Sequence, residues 1–401
     1  MNKNKLLTLI LTATLATSGI ASTSEVSVVR AASTQVTSAK QAIRISGQDR
    51  YETAAKVAAS NWSTSDNVVL VSGEGYADAI SASVLAKKLD APVLLTNSKT
   101  LNSYAKAALS TLKAKNVYVI GGEASISKDV RDALKSTYSI TELGGANRYE
   151  TNAAVAEKLV NLGVDPTNAI LVGGQGFSDA LTAASIASAK GEILLLGNND
   201  LNSIKSIQNF VNSHKSKVTV IGTDSIINDN TYKTVNGNNR ITGGKDRFDT
   251  NLKVLESFKS DIKGNKVYVA NASGNDYADA LVASALAGKN NSPLVLVDSE
   301  NSDATVNAIN YLKSNLTTSS DIEVLGGSGV VPESIISKIN SSIPSDNTSP
   351  SSNTSTSSSG GSSSSGGSSG NSQSSSNADL NDGNTHTGNY IISNLGTTTF
   401  G

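Results

Sequence analysis

Arg44-Ile45-Ser46-Gly47-Gln48-Asp49-Arg50-Tyr51-Glu52-Thr53 recurs as Glu142-Leu143-Gly144-Gly145-Ala146-Asn147-Arg148-Tyr149-Glu150-Thr151 and as Arg240-Ile241-Thr242-Gly243-Gly244-Lys245-Asp246-Arg247-Phe248-Asp249-Thr250. The arginines stand 98 and 99 residues apart. A second block keeps the same period. Gly75-Tyr76-Ala77-Asp78-Ala79 returns as Gly176-Phe177-Ser178-Asp179-Ala180 and Asp276-Tyr277-Ala278-Asp279-Ala280, with aspartates 101 and 100 residues apart. Two anchors with one period define three tandem copies, and such self-similarity decides the architecture before any element is assigned.

Within copy one the hydrophobic pattern predicts a helix over residues 51–61, a strand at Val68-Val69-Leu70-Val71, a helix over 77–88 and a strand at Val93-Leu94-Leu95. A helix over 101–112, a strand at Val117-Tyr118-Val119-Ile120 and a short helix over 127–134 follow. Continuously apolar strands alternating with helices mean a mostly parallel sheet covered on both faces. The fold class is therefore α/β: three tandem Rossmann-like units, at residues 41–140, 141–239 and 240–340. Residues 341–401 read as a disordered Ser/Gly-rich linker and short tail, too poor in apolar groups to offset their ordering entropy.

Composition narrows the function. With 33 Lys plus Arg against 34 Asp plus Glu in 401 residues, no global field exists to hold nucleic acid. Cysteine is absent and only His214 and His386 occur, so thiol chemistry, iron–sulfur clusters and His-rich zinc sites are unsupplied. No catalytic constellation, metal or cofactor is implied. Lys3, Lys5 and the apolar run that follows read as an export signal within residues 1–31, with cleavage after Ala21 or Ala31. Removing it takes the net charge from −1 to −3 and leaves no other segment able to span a membrane. An exported chain without cysteine fits a Gram-positive surface.

The repeated residues have structural uses. Asp49, Asn147 and Asp246 precede Glu52, Glu150 and Asp249 by three positions, the spacing of a capping box. Arg50, Arg148 and Arg247 then fall in the first helical turn, where a cation opposes the helix dipole and needs a partner. A carboxylate from a neighbouring copy would serve, and so would an external anion. The loops Ser72-Gly73-Glu74-Gly75 and Gly173-Gly174-Gln175-Gly176 follow strands but lack a full dinucleotide fingerprint, and the third copy lacks the glycines, so they read as tight turns. Asp78, Asp179 and Asp279 lack a histidine or second acid at fixed spacing and read as structural, near a helix start or between copies. His214 reads as a surface histidine, and Trp62 as packing at the end of the first helix.

Three such copies resemble the clostridial cell-wall-binding repeat 2 family, over roughly residues 40–340. The resemblance implies an intramolecular pseudo-trimer, a monomer on the cell surface that anchors an exported protein non-covalently to the wall through an anionic polysaccharide or teichoic-acid-like polymer. It also ties an Ile-Leu-Leu motif to binding, whose counterparts here are Val93-Leu94-Leu95, Ile193-Leu194-Leu195 and Leu294-Val295-Leu296. Only the second is literal, and each also reads as a buried parallel strand. A −3 protein needs a local basic patch to hold a polyanion, for which the threefold-repeated Arg50, Arg148 and Arg247 are candidates. A peptidoglycan amidase or amidase modifier is the alternative function, and a small-molecule crevice at the strand carboxyl ends is a third reading.

Overall fold

The computed structural model describes residues 40–274 and 277–344. The expected export signal, and the expected tail from residue 345 onward, lie outside the described residues. The elements run in chain order as β1 (Ile43–Ile45), α1 (Arg50–Asn61), β2 (Asn67–Ser72), α2 (Ala82–Lys88), β3 (Val93–Thr96), α3 (Ser103–Thr111), β4 (Asn116–Ile120), α4 (Lys128–Lys135) and β5 (Ser139–Leu143). The second copy supplies α5 (Arg148–Asn161), β6 (Asn168–Gly173), α6 (Ser178–Lys190), β7 (Ile193–Gly197), α7 (Lys205–His214), β8 (Lys217–Ile221), α8 (Asp229–Thr234) and β9 (Gly237–Ile241). The third supplies α9 (Arg247–Ser257), β10 (Lys266–Asn271), α10 (Ala278–Asn290), β11 (Leu294–Val297), α11 (Asp303–Asn315), β12 (Asp321–Leu325) and α12 (Glu333–Asn340). The helix expected over residues 77–88 opens instead as a 3-10 turn, Ala79–Ser81, while its counterparts α6 and α10 are continuous.

Three four-stranded sheets form, ordered β3-β2-β4-β5, β7-β6-β8-β9 and β11-β10-β12-β1, every pair parallel. The fold is thus the α/β, parallel, three-unit arrangement expected, but the sheets do not begin where the sequence period begins. The strand at the head of each copy completes the sheet of the copy before it. Strand β5 lies beside β4, β9 beside β8, and β1 crosses the whole chain to lie beside β12. Arg44 secures this last pairing by donating to the carbonyls of Gly326 (2.6 Å) and Val331 (2.7 Å) and by pairing with Glu333. Lys40 pairs with Asp321 at 2.7 Å, and the Ala42 amide donates to Asn340 Oδ1 at 2.7 Å, so both described ends of the chain meet here.

The centre explains the composition. Helices α2, α6 and α10 pack on one another, their contacting faces built from Ala, Ser and Gly. The Ser83 and Ser284 hydroxyls are hydrogen-bonded at 2.7 Å, and Ser188 Oγ donates to the Ser83 carbonyl at 3.3 Å. A Cβ on Gly288 would lie 2.1 Å from Ser188 Oγ, so only glycine admits this approach. Small side chains are what let three helices converge, hence few aromatics and many alanines. One buried apolar cluster runs through all three units as a result. At the carboxyl ends of these helices Lys87 donates to the Ala189 carbonyl and to Asn291, a favourable place for a cation. Burial, reinforced by Lys263 nearby, lowers its pKa.

Candidate functional site

The first helix of each unit is capped as the sequence predicts, with one difference. Asp49, Asn147 and Asp246 accept from the amides two and three residues on, at 2.8–3.0 Å. The carboxylates of Glu52, Glu150 and Asp249 reach one residue further back than a standard box, to the amides of Gln48, Ala146 and Lys245. This rigid entry fixes the next residue, the repeated arginine. Arg50 Nη1 donates to the Gly73 carbonyl (2.8 Å), Arg148 Nη1 to Gly174 (2.6 Å) and Arg247 Nη1 to Ala272 (2.8 Å), each carbonyl one residue past the first strand of the same unit.

The second partner of each guanidinium comes from the preceding unit and is an aromatic ring. Arg148 lies 5.3 Å from the centroid of Tyr76, Arg247 4.8 Å from Phe177 and Arg50 5.6 Å from Tyr277. The three rings meet one another edge-on or tilted at 5.3–5.6 Å. In place of the expected ion pair with a neighbouring copy's carboxylate, the direct partners are a carbonyl and a ring face, while Asp179 of the preceding copy acts on Arg247 from beyond ion-pair distance. The ion pairs seen for arginine among the described residues belong to Arg44, Arg131 and Arg240. Tyr76, Phe177 and Tyr277 stand in the sequence only as markers of the period; the recurrence of an aromatic residue just ahead of the central helical segment, two residues before the repeated aspartate, is the signal for this cluster.

Gly73 and Gly174, in the turns after β2 and β6, are demanded by close approach, not by turn geometry, whereas Gly75 and Gly176 have open space around them. A Cβ on Gly73 would strike the Tyr51 ring at 2.6 Å, and one on Gly174 the Tyr149 ring at 2.7 Å. Positive φ appears instead at the ends of the third strands, at Gly121 (+119°), Gly222 (+127°) and Gly326 (+120°). Their carbonyls accept from Arg131 Nη2 (2.6 Å), Arg240 Nη1 (3.1 Å) and Arg44 Nη1 (2.6 Å). In the first unit Glu142 occupies the strand position of Arg44 and Arg240, and the guanidinium arrives from α4 instead, paired to Glu142 at 2.8 Å.

These features frame a crevice at two of the junctions, outside the carboxyl ends of the first and third strands, where the strand order of a doubly wound sheet reverses and ligands bind. Between units two and three a cavity of about 350 Å³ is lined by Gly173, Asp179, Asn198, Asn199, Ile226 and Arg247. Between units three and one a cavity of about 230 Å³ is lined by Asp49, Arg50, Asn271, Asp279, Gly327 and Val330. Asp179 and Asp279 thus line the junction cavities. Burial raises the pKa of Asp179, against the smaller opposing effects of the Thr250 hydroxyl and Arg247. At the first junction Asp78 is hydrogen-bonded to Ser125.

The triplets Val93-Leu94-Leu95, Ile193-Leu194-Leu195 and Leu294-Val295-Leu296 form β3, β7 and β11, with side chains no more than 5% exposed. They are edge strands, but the edge is covered. Asn152 Nδ2 donates to the Leu194 carbonyl (3.0 Å) and to Ser81 Oγ, and its Oδ1 accepts from the Leu196 amide (2.9 Å). Asn251 repeats this on Leu294, Leu296 and Thr182. In copy one the equivalent pair is apolar, Ala54 and Val282, both buried. No side chain of the triplets faces a crevice opening, and the structure does not bring them together with the arginines. His214 lies 3.2 Å from Glu157, and the Trp62 indole donates to the Asp90 carbonyl at the end of α1. Among the described residues no cluster of His, Asp or Glu is arranged to hold a metal, and no helix is long and apolar enough to cross a membrane.

Two Bacillus subtilis (strain 168) proteins are similar to this chain. The amidase enhancer is 32% identical over 269 residues, covering 66% of this chain and 36% of that protein. The N-acetylmuramoyl-L-alanine amidase LytC is 32% identical over 261 residues, covering 64% of this chain and 50% of that protein. The chain spans half or less of the length of these relatives. Among solved structures, Cwp6 from Clostridium difficile matches with a TM-score of 0.68 at 26% identity, over 76% of this chain and 48% of that one. Cwp8 from the same organism shares the fold, with a TM-score of 0.63 at 24% identity over 75% of this chain and 52% of that one. The family described as cell wall binding domain 2 matches residues 44–131, 142–232 and 240–336, one match for each of the three copies, and the chain belongs to that family.

Proposed function

We propose that this chain anchors an exported protein to the cell wall by binding an anionic wall polysaccharide or teichoic-acid-like polymer in the junction crevices. The observation that carries the reading is the repeated guanidinium, fixed by one nitrogen to a carbonyl and stacked on a ring, at the wall of a cavity in the cases of Arg50 and Arg247. One cavity sets Arg247 against Asp179 and the other sets Arg50 against Asp49 and Asp279, so neither carries an excess of positive charge. That balance suits a sugar unit rich in hydroxyls with a single anionic group better than a dense run of phosphates, because carboxylate and amides accept and donate to hydroxyls while the guanidinium takes the charge. The triplets serve the same function from inside the fold. They hold β3, β7 and β11 against their units, so that polar substitution there abolishes binding by collapsing the repeat.

The test is co-sedimentation of the protein with Gram-positive walls, native and stripped of their anionic polymers. Binding lost on stripping supports the reading; binding undiminished on stripped walls points to peptidoglycan, and binding to neither overturns anchoring. A second reading, modification of an amidase, draws on the similarity to the amidase enhancer. It predicts that adding this chain to a wall amidase changes the rate of wall digestion, whereas the chain alone digests nothing.

A further inference from the structure

One wall of each junction cavity is a turn whose two ends are gripped by a single side chain. In unit three the turn runs from Gly326 to Val331, and Arg44 donates to both end carbonyls, Nη1 to Gly326 (2.6 Å) and Nη2 to Val331 (2.7 Å). In unit two Arg240 does the same, Nη1 to Gly222 (3.1 Å) and Nη2 to Ile227 (2.8 Å). Unit one holds the corresponding turn from another element: Arg131, on α4, donates to the carbonyls of Gly121 (2.6 Å) and Ile126 (2.9 Å). A planar guanidinium spans two acceptors in a fixed geometry, whereas an ammonium is a point charge on a flexible stem. Between the gripped carbonyls lie residues that line the cavities, Gly327, Gly329 and Val330 in one and Ser225 and Ile226 in the other. Arg44 and Arg240 themselves line neither cavity. Arg44 has a second connection to its cavity, because it stands on β1. Only Ser46 separates the end of β1 at Ile45 from Gly47, where the opposite wall begins and continues through Asp49 and Arg50. Both walls of this cavity are therefore joined to β1, one through the chain and the other through the Arg44 clamp, and β1 pairs with β12 over three residues.

We infer that Arg44 and Arg240 are positioning residues for the wall polymer, each holding one cavity wall in its binding shape, and that between units three and one polymer binding is linked to closure of the ring by β1. This rests on the anchoring reading and adds to it the side chains that shape the site and a way in which binding acts back on the fold. A turn gripped at both ends needs little further ordering when a sugar unit settles on it. Released, the same turn must be ordered by the ligand, and affinity falls. A ligand that touches both walls of the cavity between units three and one holds β1 on β12, and by reciprocity whatever frees β1 weakens that ligand by the same factor. At the other cavity β9 directly follows α8 of the unit whose sheet it completes, so the chain itself tethers the clamp strand, and Arg240 separates the clamp from ring closure.

The test uses the full chain and size-fractionated oligomers released by mild acid from purified Gram-positive walls, with affinity read by titration calorimetry. Arg240→Lys and Arg44→Lys each weaken binding, and together they lower the affinity about tenfold, within the usual range of coupling between a site and a residue that does not touch the ligand. Glutamine at the same positions lowers it to the same extent, because the polymer meets the shape of the wall and not the charge of the clamp. Far-ultraviolet circular dichroism and the thermal midpoint establish that each variant is folded, and Arg240→Lys, which leaves ring closure untouched, carries the test if Arg44→Lys does not fold. An unchanged affinity for folded Arg240→Lys overturns the positioning role, whether Arg240→Gln then binds as well, which leaves the clamp purely structural, or binds worse, which makes it a direct contact of charge with polymer. The linkage is read by hydrogen–deuterium exchange: saturating oligomer slows exchange in residues 43–45 and 321–325 about fivefold more than in β4 and β5, and Arg44→Lys removes that difference. Protection of β1 and β12 no greater than that of β4 and β5, in a chain that binds the oligomer, overturns the linkage and leaves anchoring intact. Absence of any binding by the unaltered chain overturns the anchoring reading itself.

Discussion

Replacing Asn251 by alanine removes a buried amide that closes an edge strand and joins two units at once. Its three hydrogen bonds, 2.9–3.0 Å long, reach the Leu294 carbonyl, the Leu296 amide and the Thr182 hydroxyl, all on buried residues. Truncation leaves one backbone acceptor and one backbone donor without their partner in a place water does not reach. At about 1–3 kcal/mol for each unsatisfied buried group, the loss is about 2–6 kcal/mol. With a urea dependence of ~3 kcal/mol/M for a body of this size, the unfolding midpoint falls by about 0.7–2 M. Equilibrium urea unfolding followed by far-ultraviolet circular dichroism reads this directly. Asn251→Asp sharpens the test, because the carboxylate keeps the acceptor for Leu296 and loses the donor for Leu294. Burial there raises the folded pKa of the new acid, so the variant is most stable below the unfolded value and loses stability as pH rises through the folded one. A midpoint for Asn251→Ala within about 0.2 M of the unaltered chain would refute the reasoning, since it would mean the edge of β11 does not depend on this amide.

Gly288→Ala drives a methyl group into Ser188 and costs about 1–3 kcal/mol, and Ser188→Gly in the same chain restores most of it; the thermal midpoints of the single and double variants decide. Arg44→Ala removes the guanidinium that holds β1 to the loop after β12, so amide exchange in residues 321–325 rises well before the first two sheets open, as hydrogen–deuterium exchange would show. Because burial raises the pKa of Asp179, its contribution to stability is complete below the unfolded value and is lost as pH rises through the folded one. Asp179→Asn therefore gains on the unaltered chain as pH is raised from about 3 to 7, and equal midpoints across that range would contradict the burial.

Much of this architecture was legible because capping and strand patterns are local. Asp49 and Glu52 announce a helix start within four residues, and Val68-Val69-Leu70-Val71 announces a strand buried on both faces. The frame of the units was not legible, for a cyclic arrangement has no first element. Any cut through a repeated period gives the same spacing, and Ile43–Ile45 is too short to declare its partner 280 residues away. The arginines show the same limit. Their recurrence was plain, and so was their need for a partner, but the partner is a ring on another copy plus a backbone carbonyl, and carbonyls leave no trace in a sequence.

The pairing of β1 with β12 settles how tension passes through the molecule. Residue 40 enters at the amino end of β1, and α12 brings the chain back beside it, as the contact between Ala42 and Asn340 shows. The crevices lie at the opposite ends of the strands. Under the anchoring proposed above, a pull between the crevices and the chain ends runs along the strand axes, and β1 resists it in shear, with the three residue pairs of its register and the clamp of Arg44 strained together. Peeling, which would break them one after another, is the geometry this arrangement avoids, so a seam of the ring closed by hydrogen bonds and an ion pair is loaded in its strongest direction.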